Sequence, residues 1–411
     1  MVSDGLIIIG ASLAGAKAAE GARAHGWDGP IRLVGEEPLL PYERPPLSKK
    51  VLIGADEPSA ALVHDPSFYV TNEIDLLLGA RANAIDLAAR RVDLAGGRQL
   101  RFDKLVLATG SSVRRLPIKG AELPEVRYLR TMADMLALRD ELLPGRRVGV
   151  IGASWIGTEV AACARQRGCD VAMIDPTETP LERVLGTEVG TYFARLHAAH
   201  GVELYMGIGV DGIEGAEHVK GVRLSDGRTV DADLVVVGVG VTPNIELARD
   251  AGLEVGRGVL VDQSLTTSHG DVLAAGNIAE AEHPRSRERV RVEHWANALN
   301  QGLTAGANAA GGHESYDRIP YFYSDQYEDM SMEHSGWPAA FDRVEFRGDP
   351  NDGAFVAFYL VGDRVIAGAN VNVWDVNEHV QDLIRANEPV NVKVLTDPDV
   401  DPADWAASAR P

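Results

Sequence analysis

Cysteine is almost missing. Only Cys163 and Cys169 occur in 411 residues. That excludes a disulfide-stapled scaffold and any metal site built on several thiolates, and it suits a reducing compartment. Positive charge is also short. Forty Lys and Arg stand against 60 Asp and Glu, a formal net charge of −20. The field of the whole chain therefore repels nucleic acid and anionic membranes, which leaves only a local basic patch for an acidic partner. No run approaches the roughly 18 apolar residues that span a bilayer, so no membrane span is expected. The longest, near 234–241, reads as a strand. The first apolar stretch follows Asp4, and no Lys or Arg precedes Lys17. A signal peptide has the opposite charge order, so the expected location is the cytoplasm.

Glycine is plentiful, at 43 residues. A globular chain usually holds about 7%, so the excess points to tight turns and close backbone approaches. Apolar residues make up 45% and charged residues 24%, as in an ordinary folded chain. At roughly 100–200 residues per domain, the length suggests two to four domains.

Two segments share one grammar. Leu6–Ile9 reads as a strand, Gly10–Gly15 as a turn, the Ala-rich stretch to about His25 as a helix, and Ile31–Val34 as a second strand. The pattern returns as strand Val148–Ile151, turn Gly152–Gly157, a helix to about Arg167, and strand Val171–Ile174. Each is a βαβ unit. Further apolar strands end in glycine at Gly110, Gly240 and Gly276. Such continuous strands suit parallel sheets buried on both faces. After about Pro320 the pattern turns to alternating strands at 343–346, 354–361 and 364–370, then a helix over 376–386. The expected fold is α/β: two Rossmann-like dinucleotide-binding domains and a small α+β C-terminal domain. The polar tail 397–411 is expected to dock loosely.

The turns carry the chemistry. A helix N-terminus offers unpaired N–H groups and a positive dipole end, and a glycine turn lets a pyrophosphate approach it. Gly10 and Gly152 make the tight turns, while Gly15 and Gly157 let helix and strand close up. Serine replaces the middle glycine in both, at Ser12 and Ser154. Leu13 and Ala14 open the first helix, and Ile156 lies in the second turn. One imperfect match is weak; two in the same strand–turn–helix context point to two dinucleotide sites. Each second strand ends near an acid, Glu36 and Asp175. An acid there accepts from a ribose 2′-hydroxyl and repels a 2′-phosphate, so the second site favours NADH over NADPH. Arg183 is the first cation after Asp175. The other reading of Asp175 is a solvated strand end.

The sequence resembles the FAD-dependent ferredoxin reductases of oxygenase systems, within the glutathione reductase-like flavoproteins, and more distantly the apoptosis-inducing factors. The matches are Gly10–Gly15, Pro41-Tyr-Glu-Arg-Pro-Pro-Leu-Ser-Lys49, Leu107-Ala-Thr-Gly110, Tyr128-Leu-Arg-Thr131, Gly152–Glu159, Gly240-Val-Thr-Pro-Asn244, Ala274-Ala-Gly-Asn277 and Pro320-Tyr-Phe-Tyr-Ser-Asp-Gln-Tyr327. The resemblance implies FAD at the first turn and NADH at the second. It implies an FAD domain over 1–113 and 245–319, an NADH domain over 114–244, and an interface domain over 320–411. It places FAD against Ala14, Glu36, Arg44, Lys49, Ala82, Thr109, Arg130, Asn277 and Trp295, and it pairs Lys49 with Glu159 beside the reacting rings. A cation there favours the anionic reduced flavin; the plainer reading of the pair is an ordinary ion pair. Two residues depart from the family: Asn277 stands where Asp is usual, and Tyr323 where Trp is frequent.

The implied activity is electron transfer from NADH through FAD to an iron–sulfur ferredoxin serving a cytochrome P450 or ring oxygenase. An NADH:quinone or dye reductase, and a non-catalytic flavoprotein switched by NADH, are the alternatives. A homodimer stays open. Disulfide reductases of this architecture need a redox cysteine on the FAD side, and residues 1–162 hold none. Cys163 and Cys169 read as small buried hydrophobes. Trp295 is either a ring cover for the flavin or a core Trp, and His294 reads as structural. Arg285, Arg287, Arg289 and Arg291, at spacing two, offer a basic docking face or simply decorate an edge strand. Arg114, Arg115 and Lys393 are further candidates for docking.

Overall fold

A computed structural model describes residues 4–285, 288–337 and 340–406. By its contacts the chain divides into two compact units. One is formed by 1–44, 58–112 and 241–320, the other by 45–57, 113–240 and 321–411.

In the first unit, five parallel strands lie in the order Val272–Ala274, Lys104–Leu107, Leu6–Ile9, Ile31–Val34, Ile74–Leu77. Leu6–Ile9 is central and buried along its whole length. An unbroken branched run is stable there because both faces of the sheet are covered. Helix Leu13–Ala24 packs on helix Trp295–Ala309. Small residues let the two backbones touch: a Cβ added to Gly306 would stand 2.0 Å from the Ala18 carbonyl oxygen.

The second unit repeats the theme with parallel strands in the order Val202–Met206, Asp170–Asp175, Arg147–Ile151, Leu234–Val237, Val126–Arg127. Its longest helix, Glu182–Ala199, is not evident in the sequence. Pro176 and Pro180 precede it, and Gly186 breaks it internally with φ 76°. These interruptions mask the 3.6-residue period. The C-terminal part adds a five-stranded antiparallel sheet in the order Tyr321–Gln326, Met330–Gly336, Arg364–Val371, Phe355–Val361, Arg343–Arg347. Helix Asn377–Ala386 lies on it through Val380, Leu383 and Ile384.

The tail corrects one expectation. Trp405 is wholly buried, edge-on to Phe358 with ring centroids 5.1 Å apart, and the Arg347 guanidinium lies 5.3 Å over its ring. Arg347 also donates to the carbonyls of Pro398 (3.0 Å) and Val400 (2.8 Å). A single aromatic anchor outweighs the polar composition around it, because burying one indole removes 150–250 Å² from water. Residues 407–411 of that tail lie outside the described ones. Among the described residues no helix is long and apolar enough to cross a membrane.

Candidate functional site

The first glycine turn is fixed by contact. Gly10 has φ 115°, and an added Cβ would sit 2.0 Å from the Ala108 carbonyl oxygen. A Cβ on Gly15 would sit 1.8 Å from the Gly10 oxygen. Strand, turn and helix therefore meet backbone to backbone, and only glycine fits. Ser12 is the N-cap, yet its side chain caps nothing; its hydroxyl donates to the Tyr42 carbonyl at 3.1 Å. No acid lies in the first turn of the helix. Its leading N–H groups and positive end are left for an anion. The second turn repeats this. A Cβ would stand 2.4 Å from the Gly238 oxygen at Gly152, and 1.9 Å from the Gly152 oxygen at Gly157. The Ser154 hydroxyl donates to the Gly238 carbonyl at 2.8 Å and again caps nothing. Leu13 and Ala14 are buried, while Ile156 is exposed. Two uncapped helix ends behind parallel strands fit two dinucleotide pyrophosphates.

The two acids differ. Glu36 is exposed and pairs with Arg81 at 2.9 Å, just before Ala82. Asp175 is built into the fold. One of its oxygens accepts from the Ala153 N–H (2.8 Å), the other from the N–H and hydroxyl of Thr177 (2.8 and 2.7 Å). It therefore ties the second glycine turn to the end of its strand, more than a solvated strand end does. Arg183 is exposed on the following helix, and Gly240 has φ 101°.

Around the first turn, Thr109 and Asn244 bond reciprocally: the Thr109 hydroxyl donates to the Asn244 carbonyl (2.8 Å), and the Asn244 amide to the Thr109 carbonyl (2.9 Å). This locks Gly110, with φ 66°, beside Asn244, whose N–H donates to the Gly110 carbonyl at 3.0 Å. Asn277 lies in a single 3-10 turn, Gly276–Ile278, whose first N–H donates to Gln301. Trp295 is half-buried, not a core residue, and its indole N–H donates to Glu43 at 2.9 Å. Burial raises the Glu43 carboxyl pKa, and that hydrogen bond opposes the rise. Arg44 lies 5.5 Å over the Tyr42 ring. Arg130 is part-buried, and its N–H donates to Asp134. Burial drives the His294 pKa down to about 4, so the ring is neutral at pH 7.

The second unit contains the buried ion pair. Glu159, one turn into helix Trp155–Gln166, is 3% exposed. Lys49 donates to its Oε1 at 2.7 Å. The Lys49 ammonium also lies 5.8 Å over the Tyr323 ring. Ser48 and Ser324 donate to the same carboxylate. Both serines lie in motifs quoted above, but the sequence alone gives neither a role. The available signal was polarity on a buried strand face: Ser324 and Gln326 alternate with exposed Asp325 and are both buried.

Residues 4–302 match the family described as pyridine nucleotide-disulphide oxidoreductase, and residues 321–405 match the one described as reductase C-terminal. The ferredoxin–NAD(+) reductase component of the anthranilate 1,2-dioxygenase system of Burkholderia cepacia is 41% identical, over 97% of this chain and 98% of that protein. Putidaredoxin reductase of Pseudomonas putida is 36% identical over 99% of this chain and 98% of its own length. The reductase in a crystal structure of the covalent putidaredoxin reductase–putidaredoxin complex superposes with a TM-score of 0.95 at 36% identity, covering 100% of this chain and 99% of that one. The chain belongs to the pyridine nucleotide-disulphide oxidoreductases.

Within that family, this chain does not have the means for disulfide chemistry on its first βαβ unit, since residues 1–162 hold no cysteine. Cys163 and Cys169 are free and buried. Burial pushes the Cys163 thiol up to about 12. A thiol held protonated is a poor nucleophile.

The arginine series has local partners. Arg285 pairs with Asp317 (3.1 Å), Arg291 with Glu293 (2.6 Å), and Arg289, on the edge strand Arg289–Val290, donates to the Val261 carbonyl (3.0 Å). Arg287 lies outside the described residues. Arg114 and Lys393 are exposed, and Arg115 lies 4.9 Å over the Tyr128 ring.

Proposed function

We propose that this chain is an NADH-dependent, FAD-containing reductase that delivers electrons to a small iron–sulfur ferredoxin serving a cytochrome P450 or ring oxygenase. The observation that supports it most is the doubled, uncapped glycine turn, each copy closed so tightly that a Cβ cannot enter. When bound, FAD accepts a hydride from NADH and releases the two electrons singly.

The residues supply binding and electrostatics. The helix end behind Gly10, Ser12, Leu13, Ala14 and Gly15 takes the FAD pyrophosphate, and Glu36 takes a ribose. Arg44, Ala82, Thr109, Gly110, Arg130, Asn277 and Trp295 complete that site. The helix end behind Gly152, Ser154, Ile156 and Gly157 takes the NADH pyrophosphate. Asp175 favours NADH, with Arg183 and Gly240 at the margins of the site. Lys49 offers a cation for the reduced flavin, and Glu159 fixes that cation. The two protonated, unpaired thiols suit a reducing cytoplasm.

Anaerobic stopped-flow absorbance tests this. NADH bleaches the flavin rapidly, and the reduced protein then passes electrons to a ferredoxin with saturation and strong salt dependence. Fast bleaching without ferredoxin saturation assigns a quinone or dye reductase instead. Slow bleaching with a change of size assigns a switch.

A further inference from the structure

The buried Lys49–Glu159 pair belongs to a larger polar cluster inside the second unit. Ser48 and Gln326 are at most 2% exposed, and Ser324 is fully buried. Oε1 of Glu159 accepts from Lys49 Nζ and Ser324 Oγ, each at 2.7 Å, while Oε2 accepts from Ser48 Oγ. One lysine alone leaves a carboxylate free to turn, because its terminal torsion has a broad minimum. Two hydroxyls on different oxygens remove that freedom.

Both serines are themselves held. The Ser48 carbonyl accepts from the Cys163 thiol at 3.1 Å. Gln326 is two residues beyond Ser324, hence on the same strand face. Its amide donates to Thr158 Oγ1 at 3.0 Å and reaches Ser324 Oγ at 3.5 Å. Behind it, His197 Nδ1 lies 2.8 Å from the Tyr327 hydroxyl. Tyr327 stacks flat on His200, with centroids 3.6 Å apart, and His200 meets Asp329 at 3.1 Å. The hydrogen bonds around Glu159 thus draw on three parts of the chain: the 48–49 segment, the helix after the second glycine turn, and the first strand of the C-terminal sheet.

We infer that Ser48 and Ser324 are positioning residues that fix the Glu159 carboxylate and, through it, the Lys49 ammonium. The inference rests on the proposed reduction of FAD by NADH. A carboxylate this dry is stable only when its oxygens are satisfied. Removing one hydroxyl leaves a lone pair of a buried anion unmatched. The carboxylate then rotates towards the remaining donors and draws the ammonium with it.

A double-mutant cycle tests this. Ser324→Ala slows flavin reduction at saturating NADH about tenfold, the loss of one hydrogen bond to a charged group. In a Glu159→Gln background the same change costs less than about twofold, because the group it acts through is altered. An equal cost in both backgrounds, or no cost in either, overturns the inference. A second readout needs no turnover. The Glu159 carboxylate band, isolated in the oxidised holoenzyme by infrared difference against Glu159→Gln, shifts in Ser324→Ala; an unmoved band overturns the inference. If Ser324→Ala does not accumulate as holoenzyme, Ser48→Ala runs the same cycle on the other oxygen. Failure of the ferredoxin assay with an intact cycle removes the acceptor reading alone. Normal ferredoxin reduction with a flat cycle removes the positioning role alone.

Discussion

Asp175 and Asn277 show how far one residue's meaning depends on its neighbours. In the sequence Asp175 is an acid at a strand end. In the fold it accepts from Ala153 of the glycine turn and from Thr177. Asp175→Ala therefore has two consequences: the NADH-over-NADPH ratio of kcat/KM narrows, and the urea midpoint falls by the equivalent of about 1–3 kcal/mol. Asp175→Asn narrows the ratio with a smaller stability loss, because an amide oxygen can still accept. An unchanged ratio in both variants, from steady-state kinetics with the two coenzymes, removes the selectivity role. Asn277 stands where a carboxylate is usual in the resembling family. Asn277→Asp tightens flavin retention several-fold, since a charged acceptor roughly doubles a hydrogen bond's strength. Flavin fluorescence titration of the apoprotein measures this, and equal or weaker binding contradicts it.

The βαβ element is where the sequence was most legible. The strand–glycine–helix order at 6–34 and 147–175 is visible because apolar runs, glycines and Ala-rich stretches follow each other at short range. The structure supplies the reason those glycines are there: carbonyl oxygens 1.8–2.4 Å from where a Cβ would lie. Gly157→Ala forces helix and strand apart. We expect a destabilisation of about 1–3 kcal/mol or more. NADH binding is lost while the visible flavin spectrum persists, because the proposed FAD site is the other copy. Loss of colour together with NADH binding contradicts that division of labour. Less legible were helix Glu182–Ala199, hidden by Pro and Gly, and strand Tyr321–Gln326, whose buried face carries Ser324 and Gln326 in place of apolar residues. Both depart from simple patterning, and the strand does so at the site that orients Glu159.

For the molecule as a whole, acid is the expected weakness. Burial holds both His197 and His294 near a pKa of about 4. Once unfolded, each titrates near 6.5. Between those values the unfolded chain binds protons that the folded chain does not, so stability rises with pH across that window and is lost as pH falls towards 4. Each ring removes on the order of 3 kcal/mol of stability as pH falls from about 6.5 to about 4. Urea midpoints at pH 7 and pH 4.5 measure the fall, and His197→Gln flattens it. Equal midpoints at the two pH values contradict this account.

Short-range order settled much in advance: two βαβ units, a separate antiparallel region, and a first βαβ region without cysteine. Such features are written in consecutive residues, where period, turn chemistry and composition act locally. Tertiary structure alone decided which groups converge. Lys49 and Glu159 are 110 residues apart, and Ser324 lies 165 beyond Glu159. The burial that makes their hydrogen bonds strong exists only after distant segments have closed over one carboxylate.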